Sequence, residues 1–168
     1  MELRTARLVL RPVTERDVDA MLAVRNAPAV IGTTNTKEPL PRERMAGQVK
    51  RRVASWRERE FGSWLILREG EPIGFVEVHP IGDDSGVGTD ELELGVVLQP
   101  DHWGQGIALE AGFAVARDLF ERVGRERVYA EVEETNDKSL RLLAKVPGVR
   151  RLGGELYELD RAALGSLP

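Results

Sequence analysis

Apolar residues recur three and four positions apart in several segments of the chain, and this spacing predicts four helices. The first helix begins at Thr14, and its inward-facing positions are Val18, Met21, Leu22 and Arg25. The other three helices are predicted over residues 41–60, 106–123 and 136–145. The long third helix is expected to stop before Gly124, since glycine is favoured just after a helix C-terminus.

The remaining apolar segments are short, contain β-branched residues and are bounded by turn sequences, so they predict seven strands. These strands are predicted at residues 8–11, 63–68, 73–78, 91–98, 127–133, 149–152 and 155–159. A two-residue hairpin turn is predicted at Gly153-Gly154, and a longer, mobile hairpin loop at residues 82–88. No repeat or linker interrupts the pattern, so residues 1–168 are expected to form one α/β (α+β) domain with a mixed sheet.

Composition excludes several classes of protein. The 168-residue chain has a net charge of −4, which argues against a nucleic-acid binder. It contains no cysteine, and His79 and His102 are its only histidines, so neither disulfides nor a bound metal are expected. No apolar run is long enough for a membrane span, and the first residues lack a signal-peptide core. We therefore expect a cytoplasmic protein that does not bind membranes.

The strongest chemical signal is a glycine-containing loop, Trp103-Gly104-Gln105-Gly106-Ile107-Ala108, between a predicted strand and the long helix. N–H groups in a first helical turn lack internal partners, and the helix dipole adds positive charge there. Such a loop is suited to a phosphate or pyrophosphate. A dinucleotide fingerprint would need glycine where Leu109 stands, and a Walker A loop would need a Gly-Lys-Ser/Thr sequence that is missing.

Residues 103–111 resemble the pyrophosphate loop of the GNAT superfamily of N-acetyltransferases. Trp103, in place of the usual Gln or Arg, is similar to the branch of ribosomal-protein-alanine N-acetyltransferases. Three further segments resemble that branch: residues 5–12, residues 64–76 and residues 136–145. The resemblance spans about residues 3 to 160 and implies a mixed, mostly antiparallel, seven-stranded splayed sheet with about four helices. The hairpin at residues 150–156 is shorter than is typical of the branch, and the sequence Val146-Pro147-Gly148-Val149 replaces its usual Lys-Leu-Gly-Phe.

The resemblance implies that acetyl-CoA is the cosubstrate, without a metal. Its binding residues would be Val96, Val97 and Leu98 along the pantetheine arm, Trp103, Gly104, Gln105, Gly106, Ile107 and Ala108 at the pyrophosphate, and Asn136. The three strand residues are equally readable as a buried strand, and Asn136 as a helix N-cap.

Acetyl transfer to an amine needs a base for the ammonium and an acid for the leaving thiolate. Glu93 is the first candidate base because it lies on the strand that would carry the thioester, followed by Glu91 and Glu77; each is also readable as a solvated carboxylate. The tyrosine that many superfamily members use as acid is replaced by Leu143, which leaves Ser139 as the candidate acid.

Other residues have two readings. Trp56, Phe61 and Trp64 are candidates for the wall of an acceptor cleft or for core packing, and His102 is expected to face solvent.

These observations predict an N-acetyltransferase that forms a ternary complex of acetyl-CoA and an amine acceptor, either a protein N-terminus or a small amine. The alternative is an acyl-CoA-binding regulatory module with little or no activity. The protein is expected to be a monomer or homodimer.

Overall fold

The fold is built on one mixed sheet with an opening between two of its central strands. The computed structural model describes residues 1–34, 36–82 and 90–166; the loop predicted at residues 82–88 lies outside them except for Gly82. The strands are β1 (Leu3–Arg4), β2 (Val9–Pro12), β3 (Trp64–Arg68), β4 (Glu71–Pro80), β5 (Leu92–Leu98), β6 (Arg127–Glu131), β7 (Val149–Gly153) and β8 (Leu156–Asp160). Their order across the sheet is β1-β2-β3-β4-β5-β6-β8-β7.

Helices cover both faces of this sheet. The α-helices are α1 (Val18–Arg25), α2 (Pro28–Ile31), α3 (Arg42–Arg59), α4 (Ile107–Glu121) and α5 (Asp137–Leu143). Among the described residues, 3-10 turns lie at Glu15–Asp17, Pro100–His102 and Arg161–Ser166. No described helix has the length and apolar character needed to cross a membrane.

Side-chain alternation along the strands divides the core into two layers. Trp64 and Ile66 of β3 are buried with Phe120 of α4, whereas Leu65 between them is buried with Met21 of α1 and with α3. Each face of β3 therefore has its own helical cover, so its first four residues, 64–67, are all apolar.

The predicted fold class is confirmed, but the count of seven strands is one short for the described residues. The additional strand is β1, whose Leu3 and Arg4 pair with Leu10 and Val9 of β2. Two residues are too few to show alternation. The same reason explains the fifth helix, α2, which is a single turn.

The final hairpin is displaced by one residue from its predicted turn. Gly153 pairs with Leu156, so the turn is Gly154-Glu155 rather than Gly153-Gly154. The register shifts between Arg151 and Gly153, so two steps along β7 match one step along β8. Gly153 is therefore paired in the strand and does not begin the turn.

The pairing of β5 with β6 creates the opening in the sheet. In the part of the chain that the structure describes, the other neighbouring strands are antiparallel, whereas these two are parallel and are paired only at Glu93 and Tyr129. Toward the C-terminal end of β5, residues 94–98 continue along β4 but have no partner on β6 among the described residues. The sheet therefore splays at the centre.

Candidate active site

The splay between β5 and β6 opens a cleft of about 1220 Å³. Residues 93–98 of β5 and 128–131 of β6 line its walls, together with α5, the start of α4, and parts of α1 and α3. Eleven of the twelve predicted site residues line this cleft. They are Glu93, Val96, Val97, Leu98, Trp103, Gly104, Gly106, Ile107, Ala108, Asn136 and Ser139.

The loop before α4 presents backbone N–H groups to the cleft. Gly104 and Gly106 have φ of 74° and 75°, a left-handed conformation that glycine adopts without strain. The first hydrogen bond of α4 runs from the Glu110 N–H to the Gly106 carbonyl oxygen, over 3.1 Å. The N–H groups of Ile107 and Ala108 therefore have no acceptor within the helix.

The space around these glycines fits an anion. A Cβ placed on Gly104 would meet no described atom within 4 Å, and one on Gly106 would meet only Arg7 Nη2, at 3.7 Å. The glycines thus suit the backbone conformation, and no described atom crowds the space where their side chains would be. This arrangement is suited to an anion such as a phosphate or pyrophosphate.

Trp103 fixes the loop to the end of β5. Its indole Nε1 donates a hydrogen bond to the Leu98 carbonyl oxygen at 3.0 Å, and Lys138 Nζ lies 4.0 Å from the centre of its ring. Trp103 therefore connects the loop to β5 and, through a cation–π contact, to α5.

Gln105 is the predicted site residue that does not line the cleft. Its side chain is exposed, accepts a hydrogen bond from Arg68 (2.9 Å) and donates one to the Asp101 carbonyl (2.9 Å). Its backbone carbonyl accepts from Arg7 Nη1 at 2.9 Å. Gln105 therefore supports the loop through contacts outside the cleft.

An ion pair between a residue near the N-terminus of the chain and the first turn of α4 supports the same loop. Arg7 pairs with Glu110 in the first turn of α4, with Nη2 and Oε2 2.6 Å apart, while its Nη1 holds the Gln105 carbonyl. Glu110 also accepts from the Thr5 hydroxyl and from the Arg7 backbone N–H. Burial opposes ionisation of Glu110, but these hydrogen bonds outweigh it and lower its pKa.

Asn136 is the N-cap of α5. Its Oδ1 accepts a hydrogen bond from the Ser139 N–H at 3.2 Å, which confirms the N-cap reading. Both residues also line the cleft, so the cap does not exclude a contact with a ligand. Leu143, at the position of the usual tyrosine, lines the cleft as well.

Glu93 lies where the two central strands begin to diverge. Its side chain is 19% exposed, and Oε2 lies 3.9 Å from His79 Nε2 on β4. Burial is the largest influence on its pKa and raises it; His79 opposes this, and the charges of Glu131 and Glu77 add to it. A carboxyl with a raised pKa inside a cleft is suited to accepting a proton.

The other two candidate bases are placed less favourably. Glu77 lines the cleft, but Arg52 of α3 forms an ion pair with it and holds the carboxylate. Glu91 precedes β5 and is not among the residues that line the cleft.

Comparison with known proteins identifies the family. The model for the acetyltransferase (GNAT) domain matches residues 7–147. The chain belongs to the GNAT acetyltransferase family. It is therefore an acyltransferase, of a family that performs acetyl-CoA-dependent acetylation.

Individual relatives agree with this assignment. An uncharacterized N-acetyltransferase, YoaA of Bacillus subtilis (strain 168), is 28% identical over 146 residues, which cover 86% of this chain and 80% of the relative. An acetyltransferase of Agrobacterium tumefaciens str. C58 has a TM-score of 0.77 and 25% identity, covering 96% of this chain and 95% of that chain.

A ribosomal L7/L12 alpha-N-protein acetyltransferase, RimL, in complex with coenzyme A has a TM-score of 0.73. It is 17% identical and covers 97% of this chain and 99% of its own. At that identity the likeness shows the fold alone, so the ribosomal-protein branch stays a prediction.

The aromatic residues near β3 belong to the core of this GNAT domain. Trp64 is fully buried, Phe61 is 4% exposed, and Trp56 packs edge-on against Trp64 with ring centres 4.7 Å apart. None of the three lines the cleft, so these residues pack in the core and do not form a wall of the cleft. By contrast, His102 lines the cleft and is half-buried rather than solvent-facing.

The sequence reading missed the far part of the cleft, where helices cover β4 and β5. Arg25 of α1, Gln48 of α3, and Thr33 and Thr34 after α2 line this part. A signal was present: Arg25 occupies an inward-facing position of α1 in line with Val18, Met21 and Leu22. A cation at such a position has to find a partner or a ligand.

Proposed function

We propose that this GNAT enzyme transfers the acetyl group of acetyl-CoA to a primary amine, by direct attack while both substrates occupy the cleft. The observation that carries the proposal is the position of Glu93, a largely buried carboxyl at the point where β5 and β6 separate. A base at the fork of the sheet would face an amine that approaches a thioester held along β5.

The proposed cofactor contacts come from two elements. Backbone N–H groups of Gly106, Ile107 and Ala108 would hold the pyrophosphate at the positive end of α4. Val96, Val97 and Leu98 line the cleft beside the unpaired edge of β5 and would contact the pantetheine arm. The bound thioester supplies an activated carbonyl, so much of the remaining catalysis is positioning.

Glu93 would act as the base. The ammonium group of the acceptor gives a proton to the Glu93 carboxylate, directly or through water, and the free amine then attacks the acetyl carbon. A C–N bond forms and the C–S bond breaks. The leaving thiolate takes a proton from Ser139 or a bound water, and the proton that the newly acylated nitrogen gives up restores this donor. Because burial raises the pKa of Glu93, its carboxylate is a stronger base than an exposed one.

The acceptor is proposed as a protein N-terminus or a small amine. Release of free thiol from acetyl-CoA, measured over a panel of amines and N-terminal peptides, tests this proposal. Turnover that depends on an added amine supports it. Binding of CoA without amine-dependent thiol release would instead support the alternative, a regulatory acyl-CoA-binding module.

A further inference from the structure

Arg25, the last residue of α1, lines the cleft without a counter-ion in the described part of the chain. Its Nη1 atom is buried to less than 1 Å² of accessible surface and has no hydrogen-bond partner there. None of the ion pairs among the described residues includes it. This end of the guanidinium has lost its contact with water without gaining a hydrogen-bond acceptor among the described residues.

The described residues around Arg25 do not form an ion pair with it. Of the carboxylates that line the cleft, Glu77 is paired with Arg52, Glu93 lies at the fork, and Glu131 and Glu133 are not ion-paired with Arg25. Thr33, Thr34 and Gln48 contribute polar but uncharged groups. Arg25 is therefore a cation in the far part of the cleft that forms no ion pair with a described carboxylate, while Glu93 at the fork offers a negative charge.

We infer that Arg25 binds an anionic oxygen group, a carboxylate or a phosphate, that belongs to the acceptor amine. This inference rests on the proposed function. Arginine presents a planar fork of N–H donors that matches such groups in two parallel hydrogen bonds. The acceptor is then an amine with an anion on the same molecule: its ammonium faces Glu93 and its anion faces Arg25.

Two matched pairs of acceptors test the inference. The first is β-alanine against its amide, and the second is phosphoethanolamine against ethanolamine, so the pairs separate a carboxylate from a phosphate. The wild-type enzyme should show a kcat/KM at least about ten-fold higher for the anionic member of one pair, as expected for a charge-assisted hydrogen bond. Equal use of both members in both pairs overturns the inference and leaves the N-acetyltransferase proposal intact.

Variants of Arg25 separate recognition from structural support. Arg25→Gln should remove the preference by raising the KM of the anionic member about ten-fold or more, with little change for the neutral member or for acetyl-CoA. Arg25→Lys keeps the charge and should retain part of the preference. Arg44→Gln, an exposed position of α3 outside the cleft, is the matched control. An equal loss for charged and neutral acceptors in Arg25→Gln would mean that Arg25 only supports the fold.

Direct binding covers the case in which no amine is turned over. That result would count against the proposed function, and calorimetric titration of the CoA-loaded protein with β-alanine and phosphoethanolamine would then test Arg25 alone. Weaker binding to Arg25→Gln than to Arg44→Gln supports the anion site. Equal binding to both variants overturns it.

Discussion

Replacing Gly106 by valine tests whether the loop before α4 holds the pyrophosphate of CoA. Gly106 has a φ of 75° and Gly124, just beyond the other end of α4, has a φ of 79°. A β-branched residue in this conformation costs about 1–3 kcal/mol wherever it occurs. Gly106→Val and Gly124→Val should therefore lower the free energy of unfolding by similar amounts. A difference in CoA affinity between the two variants then does not come from backbone strain.

The two variants should differ in affinity for CoA. A Cβ on Gly106 meets Arg7 Nη2 at 3.7 Å, a flexible atom, so the loop folds but carries an isopropyl group beside the exposed N–H groups. If the backbone instead turns to relieve the strain, the same N–H groups move. Losing one charge-assisted hydrogen bond costs about 1.5–3 kcal/mol, so the dissociation constant should rise by at least about ten-fold.

Calorimetric titration with CoA and urea unfolding measure the two quantities separately. A Cβ on Gly124 meets no described atom within 4 Å, and its variant should bind CoA like the wild type. If Gly106→Val and Gly124→Val bind CoA equally well, the loop is not the phosphate site.

Three further changes probe the base and the fold. Glu93→Gln should lower kcat without changing the affinity for CoA. In the wild type, kcat/KM should fall toward acid pH with a pKa above the ordinary glutamate range, because burial raises the pKa of Glu93. This fall should be absent in Glu93→Gln, and its persistence would contradict the role of Glu93 as the base. In urea titrations, wild type should lose stability relative to this variant as pH rises through that raised pKa. Asp17→Asn should lower the free energy of unfolding, measured in urea, by about 2 kcal/mol. Burial raises the pKa of Asp17, but hydrogen bonds from Arg11 outweigh burial and lower it. The stability that the Asp17 carboxylate contributes is therefore present above the ordinary aspartate pKa and is lost as pH falls through the lowered pKa. Gly74→Ala should cost about 1–3 kcal/mol because its Cβ would overlap the backbone of β5, whereas Gly95→Ala, with its nearest atom 3.9 Å away, should unfold like the wild type.

The loop and helix that we propose hold the cofactor could be predicted as elements because their signals are contiguous in the chain. The loop at residues 103–108, the strand before it and the helix after it are one local unit, so periodicity and glycine spacing place them together. The short elements β1 and α2 could not be predicted, since neither is long enough to show a period.

The acceptor half could not be assembled from sequence because its side chains converge from separate elements. Arg25, Gln48 and Glu77 come from α1, α3 and β4, and only the packing of both helices on the sheet brings them to one cleft. Sequence reasoning instead considered Trp64, whose full burial follows from its position on β3 between the strands β2 and β4.

The brace from the N-terminal strands explains how a loop with two left-handed glycines can be a defined binding site. Glycine adopts left-handed backbone conformations easily, but it loses more conformational entropy than other residues when it becomes ordered. Such a loop therefore needs contacts that fix it. Arg7 supplies them by holding the Gln105 carbonyl and Glu110 together, across a sequence separation of 103 residues between Arg7 and Glu110. The segment around residues 5–8 and the pyrophosphate loop, two separate points of resemblance in the sequence, are thus one structural unit. The edge of the sheet that carries β1 and β2 therefore contributes to ordering the proposed cofactor site, although no side chain from it is among the residues that line the cleft.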